Sequence, residues 1–229
     1  MPEHDQIYRH HTGDYHALVM AEDWQGNLLP AIQRACPLEG LDAVELGAGS
    51  GRLTGLIAPY LRSLLALDAS VPMLLEARAH LQRLQLPSAP LVCADHRNLP
   101  LPDGCADLVI AGWSMVYLVT WQPDDWAIQL SAGLDQMQRL LRPWGRLVLV
   151  ETLGTGTETP VLTGKLEPYY QALERAGFTW DWIRTDYRFS DLSEARHLIA
   201  FFFGEGMLAH LDASDLTLPE CTGIWRWGP

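Results

Sequence analysis

The 229-residue sequence is short of positive charge, of cysteine and of long apolar runs. It carries 16 Lys and Arg against 28 Asp and Glu, a formal net charge of −12. That balance lacks the electrostatic footprint of a nucleic-acid binder, so no large RNA or DNA partner is expected. The four cysteines, Cys36, Cys93, Cys105 and Cys221, include no pair at metal-ligand spacing, and no metal is expected. Met1 to Asp5 do not open a signal peptide. With neither, a reduced, cytoplasmic protein is the expectation. The uninterrupted apolar run near the end, Leu198 to Phe203, is far too short to cross a bilayer. No internal repeat or low-complexity segment is present. What remains is a chain of one-domain length, 48% hydrophobic, with enough apolar material for a sizeable core.

Against these absences, one stretch stands out: Val44-Glu45-Leu46-Gly47-Ala48-Gly49-Ser50-Gly51-Arg52-Leu53-Thr54. Apolar residues run up to Leu46, and glycines follow at 47, 49 and 51. The pattern is a strand, a turn nearly free of side chains, and a helix start. Such a loop brings backbone close to a ligand and offers it the unpaired N–H groups of a helix N-terminus. Asp68 ends the next apolar run, Leu64 to Leu67, 21 residues beyond Gly47. An acid at the tip of the second strand is placed to accept hydrogen bonds from a ribose. The glycine spacing is Gly-x-Gly-x-Gly, not the Gly-x-Gly-x-x-Gly of dinucleotide sites.

In Glu45, the alternating glycines and Asp68, the sequence resembles the class I S-adenosylmethionine-dependent methyltransferases, in their small-molecule branch. The resemblance implies S-adenosyl-L-methionine as cofactor and covers roughly residues 40 to 229. S-adenosylmethionine brings a sulfonium and an ammonium, so a carboxylate such as Glu45 near its methionine end has an electrostatic reason to be there. The implied cofactor-binding set is Glu45, Gly47, Gly49, Gly51, Asp68, Ala69, Met73, Asp95, His96, Gly112 and Trp113, with Tyr15 as a lid residue. Asp95 would lie beside the adenine, Gly112 would allow close approach where the strand tip faces the transferred methyl and the acceptor, and Trp113 would stack on the adenine or wall the acceptor site.

In chain order, residues 1 to 20 are polar and rich in His and Tyr. Their histidines (4, 10, 11 and 16) invite a metal reading that no Cys or carboxylate completes. A mobile arm or a lid over the cofactor are the other readings, and residues 1–38 are taken as an arm-and-helix unit ahead of a methyltransferase domain at 39–229. Trp24, Leu28, Leu29 and Ile32 predict a helix over 21–35. Strands are predicted at 41–46, 63–68, 91–94, 106–111 and 146–152. Helices are predicted at 52–61, from Ser70 as N-cap to a stop at Pro87 and Pro90, and at 124–141. The second of these presents Met73, Leu74, Ala77, Leu81 and Leu84 on one face. Pro143-Trp144-Gly145 reads as a turn. Beyond it come a Gly/Thr loop at 154–164, a helix at 164–176 stopped by Gly177, a β-prone stretch at 178–187, a helix at 192–203 and a strand at 222–227. This order predicts an α/β fold: a doubly wound, mostly parallel, seven-stranded Rossmann-like sheet with an antiparallel C-terminal hairpin.

For the chemistry, the resemblance implies in-line displacement at a sulfonium methyl, where orientation and exclusion of water supply much of the rate. His96, His11 and Tyr117 are the candidate bases, each without an identifiable partner. Asn/Asp-Pro-Pro-Tyr, the mark of amino-group methylation in related enzymes, is absent after strand four, where Gly112-Trp113-Ser114-Met115 stands instead. A small-molecule methyl acceptor is favoured, in a monomer or homodimer without membrane attachment. A tRNA- or protein-modifying enzyme and a non-catalytic cofactor-binding regulator are the alternatives. The tryptophans at 113, 180 and 182 either line the cavity or join the core.

Overall fold

The computed structural model describes residues 4–86, 89–121 and 124–229. Two short helices, α1 (His4–His10) and α2 (Thr12–Ala21), precede α3 (Leu28–Ala35), β1 (Asp42–Leu46), α4 (Arg52–Ile57), β2 (Ser63–Asp68), α5 (Val71–Arg83) and β3 (Leu91–Cys93). Then come β4 (Ala106–Gly112), α6 (Val116–Thr120), α7 (Trp126–Leu140), β5 (Leu141–Thr155), α8 (Glu167–Arg175) and β6 (Thr179–Arg184). The chain closes with β7 (Tyr187–Arg188), α9 (Leu192–Phe203), β8 (Thr217–Leu218) and β9 (Glu220–Trp227).

The main sheet has the order β3-β2-β1-β4-β5-β9-β6. β1 to β5 pair in parallel, and β9 pairs antiparallel with both β5 and β6. This is the expected doubly wound sheet with its antiparallel C-terminal pair. Both faces are covered, which is why the central strands are largely apolar on both faces rather than on one, with Glu45 and Glu151 as buried exceptions. Along β5, Leu147, Leu149 and Leu153 join the core under α7 and α8, while Val148 and Val150 join the core under α3 and α4. A third cluster ties Leu18 of α2 to Tyr187, Phe189, Ala195, Leu198 and Ile199.

Several boundaries differ from expectation, each for a local reason. The N-terminal residues are not a tail without a core. They form α1 and α2, and Ile7 and Leu18 are fully buried. The third helix begins at Leu28 rather than 21, because Asp23 and Gly26 take positive φ and the Asp23 carboxylate accepts from the N–H groups of Asn27 and Leu28 at 2.8 and 3.0 Å. Trp24, expected on that helix, is exposed beneath the Arg188 guanidinium. The capping of α5 by Ser70 is as predicted, with its hydroxyl accepting from Met73 N. Leu84 falls beyond the last turn and is exposed. Pro87, expected to close this helix, lies outside the described residues.

The predicted turn at 143–145 is absorbed into β5. Leu141 pairs with Ala106 and Arg146 with Leu108, so the residues between them bulge out of register and leave Trp144 83% exposed. β5 also runs on to Thr155, through part of the predicted Gly/Thr loop, with a second register shift at Gly154. Trp180 stacks on the buried Trp225 and donates to Glu174, and Trp182 is half exposed. Neither lines the cavity described below. Among the described residues, no helix is long and apolar enough to cross a membrane.

Candidate functional site

β1 has β2 on one side and β4 on the other, so the strand order reverses there, and the carboxyl ends of these strands open a crevice of the kind that holds ligands in α/β sheets. The glycine loop fills its floor. Gly47 has φ +69°, and a Cβ on it would stand 2.2 Å from Ser114 Cβ at the tip of β4. The close approach expected of Gly47 is therefore to protein as well: β1 and β4 meet tip to tip. Gly51 starts α4 in the left-handed region, where a Cβ would press on Ala77 of α5 at 3.0 Å. Gly49 instead offers its N–H to Asp68, at 2.8 Å.

Asp68 is thus locked in place. One carboxylate oxygen accepts from Gly49 N and the other from Ser70 N at 2.7 Å, which leaves each with a further lone pair. Burial raises its pKa, and the two N–H groups oppose that rise. Next to it, the Ala69 carbonyl accepts from Cys93 Sγ, and Met73 is packed inside α5. Asp95, beyond β3, is clamped by Arg97. The guanidinium reaches both carboxylate oxygens, at 2.8 and 2.5 Å, and holds the acid down to about 2. His96 turns inward; its Nε2 lies 3.2 Å from Ser114 Oγ, which donates to the Leu46 carbonyl. Burial pushes His96 down to about 4. It braces the tips of β1 and β4 from beneath.

Glu45 is also beneath the loop. It is buried beside Thr54 of α4, and burial pushes it up to about 7. Glu45, Gly51, Asp68, Asp95 and His96 therefore shape or border the crevice, whereas Tyr15, Gly47, Gly49, Gly112 and Trp113 line its cavity directly. Trp113 takes φ +49°, an uncommon conformation for a bulky residue, with its N–H on the Val150 carbonyl at 2.6 Å. This turn lays the indole against the Arg52 guanidinium, 4.6 Å from the ring centre.

Aromatic residues of the N-terminal helices roof the crevice. Tyr8 and Tyr15 meet edge to face at 5.2 Å, Tyr8 hydrogen-bonds Tyr117, and Trp121 stacks against Tyr117 at 4.8 Å. Burial raises the Tyr15 and Tyr8 hydroxyls, and Tyr117 is pushed up to about 12. Ser70 Oγ donates to the Tyr8 carbonyl, so the roof is pinned beside Asp68. Of the candidate bases, His11 is remote, against Phe201 on α9. The N-terminal histidines do not converge either: His16 pairs with Ser50, and the His4 side chain lies outside what is described.

The cavity under this roof measures about 140 Å³. That is close to the ~150 Å³ that holds one benzene ring and below the roughly 300 Å³ at which ligand pockets begin. An adenosine-bearing cofactor fits the floor chemistry of this cavity, with its locked carboxylate and side-chain-free loop. Its far end was not foreseen from the sequence. Glu22, Arg52, Thr152, Tyr187 and Glu220 gather there, with Phe202 and Phe203 on the apolar side. The signals were faint: Arg52 merely follows the last glycine, and Glu22 and Glu220 are 198 positions apart.

The family described as Methyltransferase domain matches residues 44–149, from the glycine loop into β5. The chain is 32% identical over 137 residues to a demethylmenaquinone methyltransferase of Corynebacterium urealyticum, covering 60% of this chain and 50% of that protein. It is 29% identical over 138 residues to a malonyl-[acyl-carrier protein] O-methyltransferase of a Marinomonas species, covering 59% and 47%. The chain thus spans about half the length of these curated relatives. Among solved structures, phosphoethanolamine N-methyltransferase 2 of Haemonchus contortus, in complex with S-adenosyl-L-methionine, matches with a TM-score of 0.61 at 16% identity. That match covers 98% of this chain and 59% of the other, and at this identity it is a likeness of fold.

Proposed function

We propose that the chain is a class I S-adenosylmethionine-dependent methyltransferase and that it transfers a methyl group from S-adenosylmethionine to a small-molecule acceptor. The observation that carries the reading is Asp68, a carboxylate at the tip of β2 held against the glycine loop by Gly49 N–H at 2.8 Å. Its remaining lone pairs suit the two hydroxyls of a ribose.

When bound, S-adenosylmethionine supplies a methyl group already activated on a sulfonium. The chain's own residues bind, align and keep water out. Gly47 and Gly49 would carry the methionine portion across the loop, with Gly112 and Trp113 facing the reacting end. Asp95 would offer the adenine the lone pairs that Arg97 leaves, with Ala69, Met73 and His96 around it. Glu45 and Gly51 support the loop from below. Residues 1–38 act as the lid, with Tyr15 over Gly49, on a domain at 39–229 that works as a monomer or homodimer. His96, pushed down to about 4, and Tyr117, pushed up to about 12, are both neutral at pH 7 and poor bases there. The site suits an acceptor that arrives as a ready nucleophile.

Calorimetric titration with S-adenosylhomocysteine and with NAD tests the reading, followed by turnover of methyl-labelled S-adenosylmethionine over a panel of small-molecule acceptors. Binding of S-adenosylhomocysteine and label transfer are expected. Preference for NAD overturns it.

A further inference from the structure

Trp113 packs on the opposite face of the sheet from the one its place in the chain predicts. Along β4, Leu108 and Ile110 join the core under α3 and α4, while Val109 and Ala111 join the core under α7 and α8. Continued alternation puts residue 112 on the α4 side and residue 113 on the α7 side. Gly112 obeys: a Cβ on it would stand 2.9 Å from Leu53 of α4. Trp113 does not, and its half-buried indole packs against the core under α3 and α4. The left-handed φ of +49° carries it there, a conformation that a bulky residue keeps only when its surroundings hold it. Two contacts do so. The Trp113 N–H donates to the Val150 carbonyl at 2.6 Å, which fixes the backbone. The Arg52 guanidinium carbon lies over the indole, 4.6 Å from the ring centre, which fixes the side chain.

Arg52 is itself held, and from the roof. Its Nη1 donates to Glu22 Oε2 at 2.6 Å, and the two side chains are 13% and 3% exposed, so the pair is largely removed from water. Glu22 caps the end of α2, its backbone bridges to Tyr187, and its other oxygen accepts from Thr185 Oγ1 at 3.0 Å. One guanidinium, on the first residue of α4, therefore joins the end of a roof helix to the aromatic wall of the cavity. A guanidinium can bond a carboxylate along its edge while its plane covers a ring, which an ammonium cannot.

We propose, on the methyl-transfer reading above, that Arg52 is a positioning residue: anchored on Glu22, it holds Trp113 in its turned conformation, and Trp113 walls the reacting end of the cofactor. Arg52 acts through the indole rather than on the reacting atoms. The wall thereby depends on the roof. Releasing Glu22 frees the guanidinium, and the turn at Trp113 loses one of the two contacts that hold it.

The experiment combines calorimetry of S-adenosylhomocysteine binding with fluorine NMR of protein labelled with fluorotryptophan. The chain has nine tryptophans, and the signal lost in Trp113→Gly identifies the Trp113 resonance. Glycine keeps a left-handed φ without strain, so this variant removes the wall and spares the turn. Arg52→Met should shift or split the Trp113 resonance. It should weaken S-adenosylhomocysteine about tenfold in the parent, and by less than about twofold in the Trp113→Gly background. Glu22→Gln, which keeps the shape and removes the charge, should move the Trp113 resonance in the same direction as Arg52→Met. If Arg52→Met does not fold, Arg52→Gln takes its place. If Trp113→Gly binds too weakly to measure, the resonance in Arg52→Met and in Glu22→Gln decides. Equal losses of affinity in the two backgrounds overturn the proposal and make Arg52 a strut between α2 and α4. A Trp113 resonance left unchanged by Arg52→Met or by Glu22→Gln overturns it too. Failure of S-adenosylhomocysteine to bind the parent at all would instead count against the methyl-transfer reading.

Discussion

His16 Nδ1 lies 2.9 Å from Ser50 Oγ, joining α2 of the roof directly to the glycine loop of the floor. The same ring packs edge-on against His80 at 4.8 Å, and its Nε2 lies 3.4 Å from Arg83 Nη2. The roof is therefore fastened to the site by two neutral imidazoles beside a guanidinium.

Burial lowers both histidines below their ordinary value, so the folded state disfavours their protonation. A depressed folded pKa gives stability that is whole above the unfolded value of about 6.5 and lost as pH falls below it. Between pH 7 and pH 5 this loss should lower the parent's Tm relative to that of His16→Gln. His16→Gln should flatten that acid limb. An equal acid limb in parent and variant would remove His16 from the account.

The buried carboxyls act with the opposite sign. Burial pushes Glu151 up to about 8, where Tyr169 Oη donates to it at 2.9 Å. A raised folded pKa gives stability that is whole below the unfolded value and lost as pH rises through the folded one. Relative to Glu151→Gln, the parent protein should lose Tm from about pH 5 to pH 8 and little more above that.

Gly47→Ala should destabilise the fold by about 2 kcal/mol or more, combining a left-handed backbone with a Cβ 2.2 Å from Ser114 Cβ. Urea unfolding measures it. Gly47→Ala with Ser114→Gly should recover part of the loss, the mark of a coupled pair. Gly13 in α2, with nothing within 4 Å, is the control: Gly13→Ala should be neutral or stabilise by about 0.5–1 kcal/mol.

Asp68→Ala should weaken S-adenosylhomocysteine by about 1.5–3 kcal/mol, the range for hydrogen bonds to a charged group. Calorimetry at fixed ionic strength reads this directly, and unchanged affinity would move the ribose elsewhere.

Deletion of residues 1–16 should leave a folded protein, because the two sheet cores lie under α3, α4, α7 and α8. It removes Tyr8 and Tyr15 from the roof, so affinity for S-adenosylhomocysteine and turnover should fall together. A truncated protein with the parent's affinity and turnover would end the lid assignment of 1–38.

The parallel half of the fold was legible because strand, glycine turn and helix follow each other at short range. The helix expected at 192–203 shows the same: it is Leu192–Phe203, capped by the Asp191 carboxylate, which accepts from Ser193 N and Glu194 N. Asp68 was legible for the reason that its partner Gly49 lies on the adjacent loop. The roof was not, since α1 and α2 bury Ile7 and Leu18 through packing on distant elements such as α4, α5, α9 and β7, and a polar helix gives no period that announces them. The Arg52, Glu22 and Glu220 cluster was illegible for a stronger reason. It is assembled from the end of α2, the start of α4 and the start of β9, and a buried ion pair leaves no local trace in composition.

The place of β9 has a consequence for synthesis on the ribosome. It inserts between β5 and β6, so β6 emerges with no strand to pair with until residues 220–227 follow it. The glycine loop, Asp68 and the strand tips can be assembled while the chain is still growing. Glu220 arrives after β6, and with it both the closure of the sheet and one wall of the cavity. Nascent chains halted before residue 220 would therefore carry the floor of the site without its end, and leave the apolar flank of β5 open to other chains.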